Sequence, residues 1–373
     1  MKTQALVVQH VGAPYRLKDV QLEEPQANEV LVKVTACGLC HTDLLVSGGG
    51  IPTPFPCILG HEGSGIVLSV GSSVQRVQPG DHVLLSFSSC GECGCCTDEP
   101  PHPAGCEEFV RNNFGRHRNT AVGGTAAAKD VETGGEVATT FFGQSTLARH
   151  ALVVESSCVK VPAGTDLVSL APLGCGLQSG AGAVLNILRP APTSSIAIFG
   201  LGAVGFAALW AAVHLKIQTI IVVDLFPNRL ELAKKHGATH LIDGKDAEVV
   251  KRVKEATGGR GAKYAVECTG VTKVLGTAWE SLANFGHVIS VGNPGPGIQP
   301  PVTIHDAVNH SRTWSGLAEG DSNPPEFIPL LMRLYEEGAF PVNDISQPFP
   351  VEDFEAAVAA MKTGAVIKPI ITF

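Results

Sequence analysis

The sequence predicts an α/β protein in which a doubly wound parallel sheet is joined to a β-rich domain. Three observations lead there. Short apolar runs ending in glycine or aspartate recur between about 195 and 292. A Gly-x-Gly-x-x-Gly turn follows the first of them. The N-terminal part instead alternates apolar and polar residues between glycines and prolines, as half-buried strands do.

Composition narrows the field. A chain of 373 residues suggests about two or three domains. With 44% apolar and 17% charged residues, it reads as well packed rather than disordered. A net charge of −8 speaks against a nucleic-acid groove, which needs a basic stripe. The apolar run at 1–8 is too short for a secretion signal and ends at Gln9-His10. Eleven cysteines without such a signal point to a reducing compartment, hence the cytoplasm, and to metal ligation rather than disulfides. The segment 196–213 carries no formal charge and approaches membrane-helix length. A glycine turn near its start, and the lack of a second such segment, favour a buried strand and helix, so no membrane is expected.

In chain order, 29–34, 65–71 and 77–83 read as strands of the β-rich part. The polar, glycine-rich stretch 111–140 reads as an exposed loop, and strand pattern returns at 151–154. From about 170 to 315 the α/β alternation takes over: strand 195–199, helix 204–215, strand 219–223, then apolar runs at 264–270 and 287–292. The tail, from Trp314 onward, carries a helix-like stretch at 327–337 and closes on 367–373. It is expected to rejoin the N-terminal β domain.

The turn at Gly200, Gly202 and Gly205 has the strand–turn–helix–strand context of a dinucleotide fingerprint. Gly200 permits the tight turn, Gly202 lets backbone approach a pyrophosphate, and Gly205 lets helix and strand pack closely. The helix N-terminus supplies free N–H groups for that pyrophosphate. Asp224, ending the next strand, is placed to accept from adenosine ribose hydroxyls.

Two groups of residues suggest metal. Cys90-x-x-Cys93-x-x-Cys96, with Cys106 shortly after, offers four thiolates from one short lobe, enough to close a tetrahedron around zinc. The lobe, 88–108, has few apolar side chains, so metal would supply its folding energy. Cys95 competes with Cys96, and spacing does not decide between them. Cys40, His61 and Cys175 form a second, dispersed group. Spacing does not unite them, and each alone reads more readily as a buried thiol or a core imidazole than as a ligand.

Taken together, Cys40-His41-Thr42-Asp43, Gly60-His61-Glu62, the four-cysteine lobe, Cys175, the Gly200 turn and the closing Ile-Thr-Phe resemble the zinc-dependent medium-chain alcohol dehydrogenases from end to end. The stretches 173–182 and 320–329 resemble the aryl- and benzyl-alcohol dehydrogenases among them. The resemblance implies a GroES-like catalytic domain from 1–170 and 316–373 around a Rossmann domain at 171–315. It implies two zinc ions per chain: catalytic on Cys40, His61 and Cys175, structural on Cys90, Cys93, Cys96 and Cys106. It implies Thr42 as proton shuttle, Asp43 orienting the zinc histidine, and Glu62 assisting ligand exchange, with a structural salt bridge as the alternative for Glu62. It also implies His41 and Lys368 at the cofactor pyrophosphate and Arg229 near the adenosine ribose. Asp224 repels a 2′-phosphate, so NAD is favoured over NADP. A homodimer or homotetramer is implied as well.

The chemistry explains the residue types. Zinc lowers the pKa of bound water from about 15.7 to about 7, and an alcohol must lose its proton before it gives up hydride. Two thiolates and one imidazole leave a position open for the substrate oxygen. Phe87, Phe141 and Phe142 are candidate pocket walls, with core packing the plain alternative. Position 45, where the family often has the outer histidine of a proton relay, holds Leu45. The expected activity is oxidation of a primary, aromatic or bulky apolar alcohol to its aldehyde. A zinc-free enoyl or quinone reductase and a zinc polyol dehydrogenase are the competing readings.

Overall fold

Six parallel strands form a sheet in the order His240–Asp243, Thr219–Asp224, Ser195–Phe199, Ala262–Glu267, Leu282–Ser290, Thr313–Gly316. The structure is a computed structural model and describes residues 1–115 and 126–373. The expected loop at 111–140 therefore lies partly outside the described residues. By its contacts the described chain divides into two compact units: Met1–Cys175, Asn323–Arg333 and Pro341–Phe373 in one, Gly176–Ser322 and Leu334–Phe340 in the other.

The parallel sheet belongs to the second unit. Ile196, Ala197, Ile198, Ile221 and Val222 are fully buried, which is why these strands read as unbroken apolar runs. The helix Ala203–His214 follows the glycine turn and buries Phe206 and Trp210. The uncharged segment 196–213 is thus a strand and a core helix. Among the described residues no single helix is long and apolar enough to cross a membrane. Strand order reverses beside Ser195–Phe199, and ligands of open α/β sheets bind outside the carboxyl ends of strands at such a point.

The first unit holds two antiparallel-dominated sheets. One runs Cys57–Ile58, Lys2–Val8, Arg16–Leu22, Ala128–Asp130, Glu136–Val137. The other runs Cys158–Val161, His82–Leu85, Gly63–Val70, Glu29–Gly38, Lys368–Thr372, Ser346–Pro350, with His150–Val154 also paired to Glu29–Gly38. Glu29–Gly38 buries Val30, Val32, Val34 and Ala36 while Lys33 faces out, the two-residue period of a half-buried strand. The chain's end does rejoin this domain: Ile370 pairs with Gly38 and Ile371 with Cys37. Both domain types match the sequence expectation.

The boundaries differ from 171 and 315. Residues 171–175 stay with the first unit, because a Cβ on Gly174 would lie 1.9 Å from the Leu85 carbonyl oxygen and Ser86 Oγ donates to Gly174 O at 2.7 Å. Trp314, expected to open the tail, sits in the sixth strand of the parallel sheet. Residues 319–322 also stay there. Gln178 Nε2 donates to Glu319 Oε2 at 3.0 Å, and a Cβ on Gly182 would meet Gly320 O at 2.0 Å.

Candidate active site

The segment after strand Glu29–Gly38 turns into the short helix His41–Ser47, with Cys40 as its N-cap. Asp43 is fully buried on that helix. Its Oδ2 accepts from Cys40 N at 2.9 Å, and its Oδ1 accepts from Gly60 N and from His61 Nδ1, both at 3.0 Å. One carboxylate therefore fixes two separate segments and orients the imidazole so that Nε2 is the ring nitrogen directed away from it. That Nε2 is buried and has no hydrogen-bond partner.

Cys175 arrives from the far end of the first unit, held by the tight packing of Gly174. Ligand atoms of Cys40, His61, Glu62 and Cys175 all lie within 4.8 Å of one another. The hydrogen bond with Cys175 draws the Cys40 thiol well below its usual value, burial opposes this, and His61 adds to the lowering. Burial works against a charge on His61, but Asp43 and Cys40 outweigh it and raise its pKa well above the imidazole range. An orphaned buried imidazole nitrogen facing two sulfurs, one held toward thiolate, fits a soft, nitrogen-accepting ion such as zinc.

Thr42 lies beside these groups, its Oγ1 3.6 Å from Cys40 Sγ. His41 begins the helix and is exposed. Glu62 is buried, and burial raises its pKa against the opposing pull of Lys368. Lys368 opens the strand Lys368–Thr372. It is buried, with Nζ 2.7 Å from Glu62 Oε2 and donating to Leu39 O at 3.1 Å. A strand position facing the interior pairs this ammonium with Glu62. Phe141 and Phe142 are buried against His61, whose ring stacks on Phe142 at 4.5 Å and 24° and meets the edge of Phe141 at 5.2 Å. Phe87 is a core residue, packed 5.8 Å from Phe109.

The four-cysteine lobe assembles independently. Sγ atoms of Cys90, Cys93, Cys96 and Cys106 lie within 4.8 Å of one another, while Cys95 stands outside the group. That resolves the choice that spacing left open. Backbone N–H groups point at the sulfurs: Cys90 N to Cys106 Sγ at 3.3 Å, Cys93 N to Cys90 Sγ at 3.4 Å, and Glu107 N to Cys93 Sγ at 3.4 Å. This closed S₄ donor set also fits zinc.

In the second unit Gly200 has φ +90°, a turn that favours glycine, and a Cβ on Gly205 would sit 1.9 Å from Gly200 O. A Cβ on Gly202 would meet nothing within 4 Å, so room is left at the helix N-terminus where a pyrophosphate fits. Asp224 is buried. Its Oδ2 accepts from Leu201 N at 2.5 Å and its Oδ1 from Phe226 N at 2.8 Å, so it also braces the turn. The Arg229 guanidinium lies 4.6 Å over the Phe226 ring, and burial lowers its pKa against the pull of Asp224.

Sequence reasoning missed Gln144. Its Oε1 accepts from Gly63 N, and its Nε2 donates to His61 O and Ser86 O, so it braces the backbone around His61. It stands in a run of Thr, Phe, Gly and Ser without periodicity, and no signal marks it out.

Comparison with known proteins identifies both domains. Residues 26–163 match the alcohol dehydrogenase GroES-like domain, and 203–337 match the zinc-binding dehydrogenase domain. The chain is 38% identical to a geraniol dehydrogenase of Castellaniella defragrans, over 100% of this chain and 98% of that one. It superposes on the crystal structure of benzyl alcohol dehydrogenase from Acinetobacter calcoaceticus with a TM-score of 0.94 and 39% identity, covering 100% and 99% of the two chains. An alcohol dehydrogenase zinc-binding domain protein from Burkholderia ambifaria gives 0.94 and 40%, with the same coverage. The chain belongs to the zinc-dependent medium-chain alcohol dehydrogenases.

Proposed function

We propose that this enzyme interconverts a primary alcohol carrying an aromatic or bulky apolar group with its aldehyde, using NAD. The observation that carries the reading is the orphaned Nε2 of His61 beside the sulfurs of Cys40 and Cys175. These three residues would hold the catalytic zinc, and Cys90, Cys93, Cys96 and Cys106 the structural one. Zinc at the first position supplies Lewis acidity that brings an alcohol proton within reach of neutral pH. Asp43 keeps the His61 lone pair aimed inward. Thr42 Oγ accepts the substrate proton and passes it on. Leu45 cannot continue that transfer, so ribose hydroxyls or water complete it. Glu62, neutralised by Lys368, stands where it can assist exchange at the metal.

Gly200, Gly202 and Gly205 would carry the pyrophosphate of NAD, and His41 is kept as a candidate cofactor contact. Asp224 retains lone pairs for ribose hydroxyls and disfavours a 2′-phosphate; Arg229 flanks it. The relatives acting on geraniol and benzyl alcohol support an activated primary alcohol as the substrate. The exposed edge strand Thr313–Gly316, with Trp314 and the exposed Ile304 and Val308 nearby in sequence, supports a homodimer or homotetramer.

An NAD(H) absorbance assay across benzyl, cinnamyl, terpene, aliphatic and polyol alcohols, run beside metal analysis, tests the reading. Turnover of aromatic or terpene primary alcohols with two zinc ions per chain is expected. A preference for polyols, or activity without metal, would sink it. Leu45→His is expected to add an inflection near pH 6.5 to the hydride-transfer rate. An unchanged profile would count against the incomplete-relay reading.

A further inference from the structure

Residues 141–145 form a turn of unusual backbone. Phe142, Gly143 and Ser145 have φ of 52°, 66° and 49°. Two of these carry side chains in the left-handed region, and such residues persist only where their surroundings over-determine them. The surroundings here do. Ser145 Oγ accepts from Phe141 N at 3.0 Å and donates to Ile58 O at 2.7 Å. Ser157 Oγ donates to Phe142 O at 3.2 Å. A Cβ on Gly143 would lie 2.5 Å from Ser157 Oγ.

The product of this strain is a grip on one residue. Phe142 stacks on the face of the His61 ring and Phe141 meets it edge-on. Gln144, fully buried, donates to His61 O at 3.0 Å and Ser86 O at 2.9 Å. Its Oε1 accepts from Gly63 N at 3.0 Å and Thr146 Oγ1 at 3.1 Å. Both ends of the amide are used, so neither a carboxylate nor an aliphatic chain reproduces it.

The geometry points to Gln144 as a positioning residue for His61: with the Phe142 stack, it fixes the imidazole that Asp43 holds from the other ring nitrogen. The inference rests on the proposed zinc ligation by Cys40, His61 and Cys175. Asp43 holds one edge of the ring, while the backbone carbonyl and the ring face are left to the 141–145 turn. A ligand fixed at only one of these points would swing about its χ angles. Partners beyond the ligands themselves contribute about 10–100-fold to metal affinity.

Gln144→Glu is the sharpest test. It keeps the size and the acceptor but turns an oxygen toward the His61 and Ser86 carbonyls. Zinc release to a chelator from the Cys40–His61–Cys175 site is expected to quicken about 10–100-fold. Release from the four-cysteine lobe should not change, which makes it an internal control. In the cobalt-substituted protein the visible absorption band of the buried site should shift. Phe142→Leu removes the stack while keeping an apolar side chain. It should act in the same direction, and it decides the matter if Gln144→Glu does not fold. A lowered melting temperature with wild-type release rates and an unchanged cobalt spectrum would overturn the proposal, leaving Gln144 a core residue only. Failure of the underlying zinc reading looks different: Cys175→Ser would then retain the full metal content of the wild type.

Discussion

The two cysteine groups reach similar clusters by opposite routes. Cys90, Cys93, Cys96 and Cys106 lie close in sequence on a lobe whose surroundings are mostly exposed. Their geometry comes from local turns and backbone N–H groups aimed at sulfur. Cys40, His61 and Cys175 come from three distant segments, and the folded β domain brings them together. Asp43 and Gln144 then tie the histidine down from two sides. The difference teaches what each cluster depends on. The lobe has little apolar burial and would lean on a bound ion. The buried triad is shaped by the fold first, so an ion held there would be given over to chemistry.

The contrast can be broken at several points. Cys175→Ser should remove one zinc and cost about 10³-fold in kcat, taking several kcal/mol of transition-state stabilisation at about 1.4 kcal/mol per decade. Its melting temperature should stay near wild type; a large drop would show that the buried ion also holds the fold. Cys106→Ala should have the reverse signature. The lobe opens locally, one zinc is lost, and limited proteolysis cuts first within 88–108. Protease resistance equal to wild type would mean the lobe stands without metal. Asp43→Asn should weaken zinc at the buried site about 10–100-fold and leave the lobe untouched, read by competition with a chelator. Equal loss at both sites would erase the distinction.

The smallest effect separates metal loss from global pH dependence. Burial, then Lys263, holds the His287 pKa below its usual value. His287 Nε2 lies 2.8 Å from Ser315 Oγ, in the second unit and outside both clusters. The unfolded chain therefore takes up this proton first as pH falls. The stability it contributes is present above about pH 6.5 and fades below it. His287→Gln should flatten that part of the urea-midpoint profile between pH 7.5 and 5.5. A slope identical to wild type would show that His287 carries none of it.

The sequence spoke most clearly where structure is local. The strand Ser195–Phe199 falls on its apolar run, and the helix Ala203–His214 lies within a residue of its reading. The strand ending in Asp224 also stands where expected. Cysteine spacing identified the lobe, though choosing Cys96 over Cys95 needed three-dimensional turns. The dispersed triad stayed illegible from spacing because its convergence is a property of the whole β domain. The pairing of Lys368 with Glu62 was illegible for a related reason. A lysine in a closing strand reads as exposed unless the buried Glu62 opposite it is known. Gln144 and the left-handed Phe142 left no trace, since neither periodicity nor turn chemistry marks a polar residue that satisfies other segments' backbones.

The open space at Gly202 has a consequence of its own. Its neighbour Gly205 has no such freedom, because a methyl group there would collide with backbone. An alanine at 202 would disturb no contact within the protein, yet it would occupy the room a diphosphate requires. A variant screen that scores only abundance would therefore condemn the third glycine and overlook the second. The two fall into separate categories of damage despite belonging to one motif.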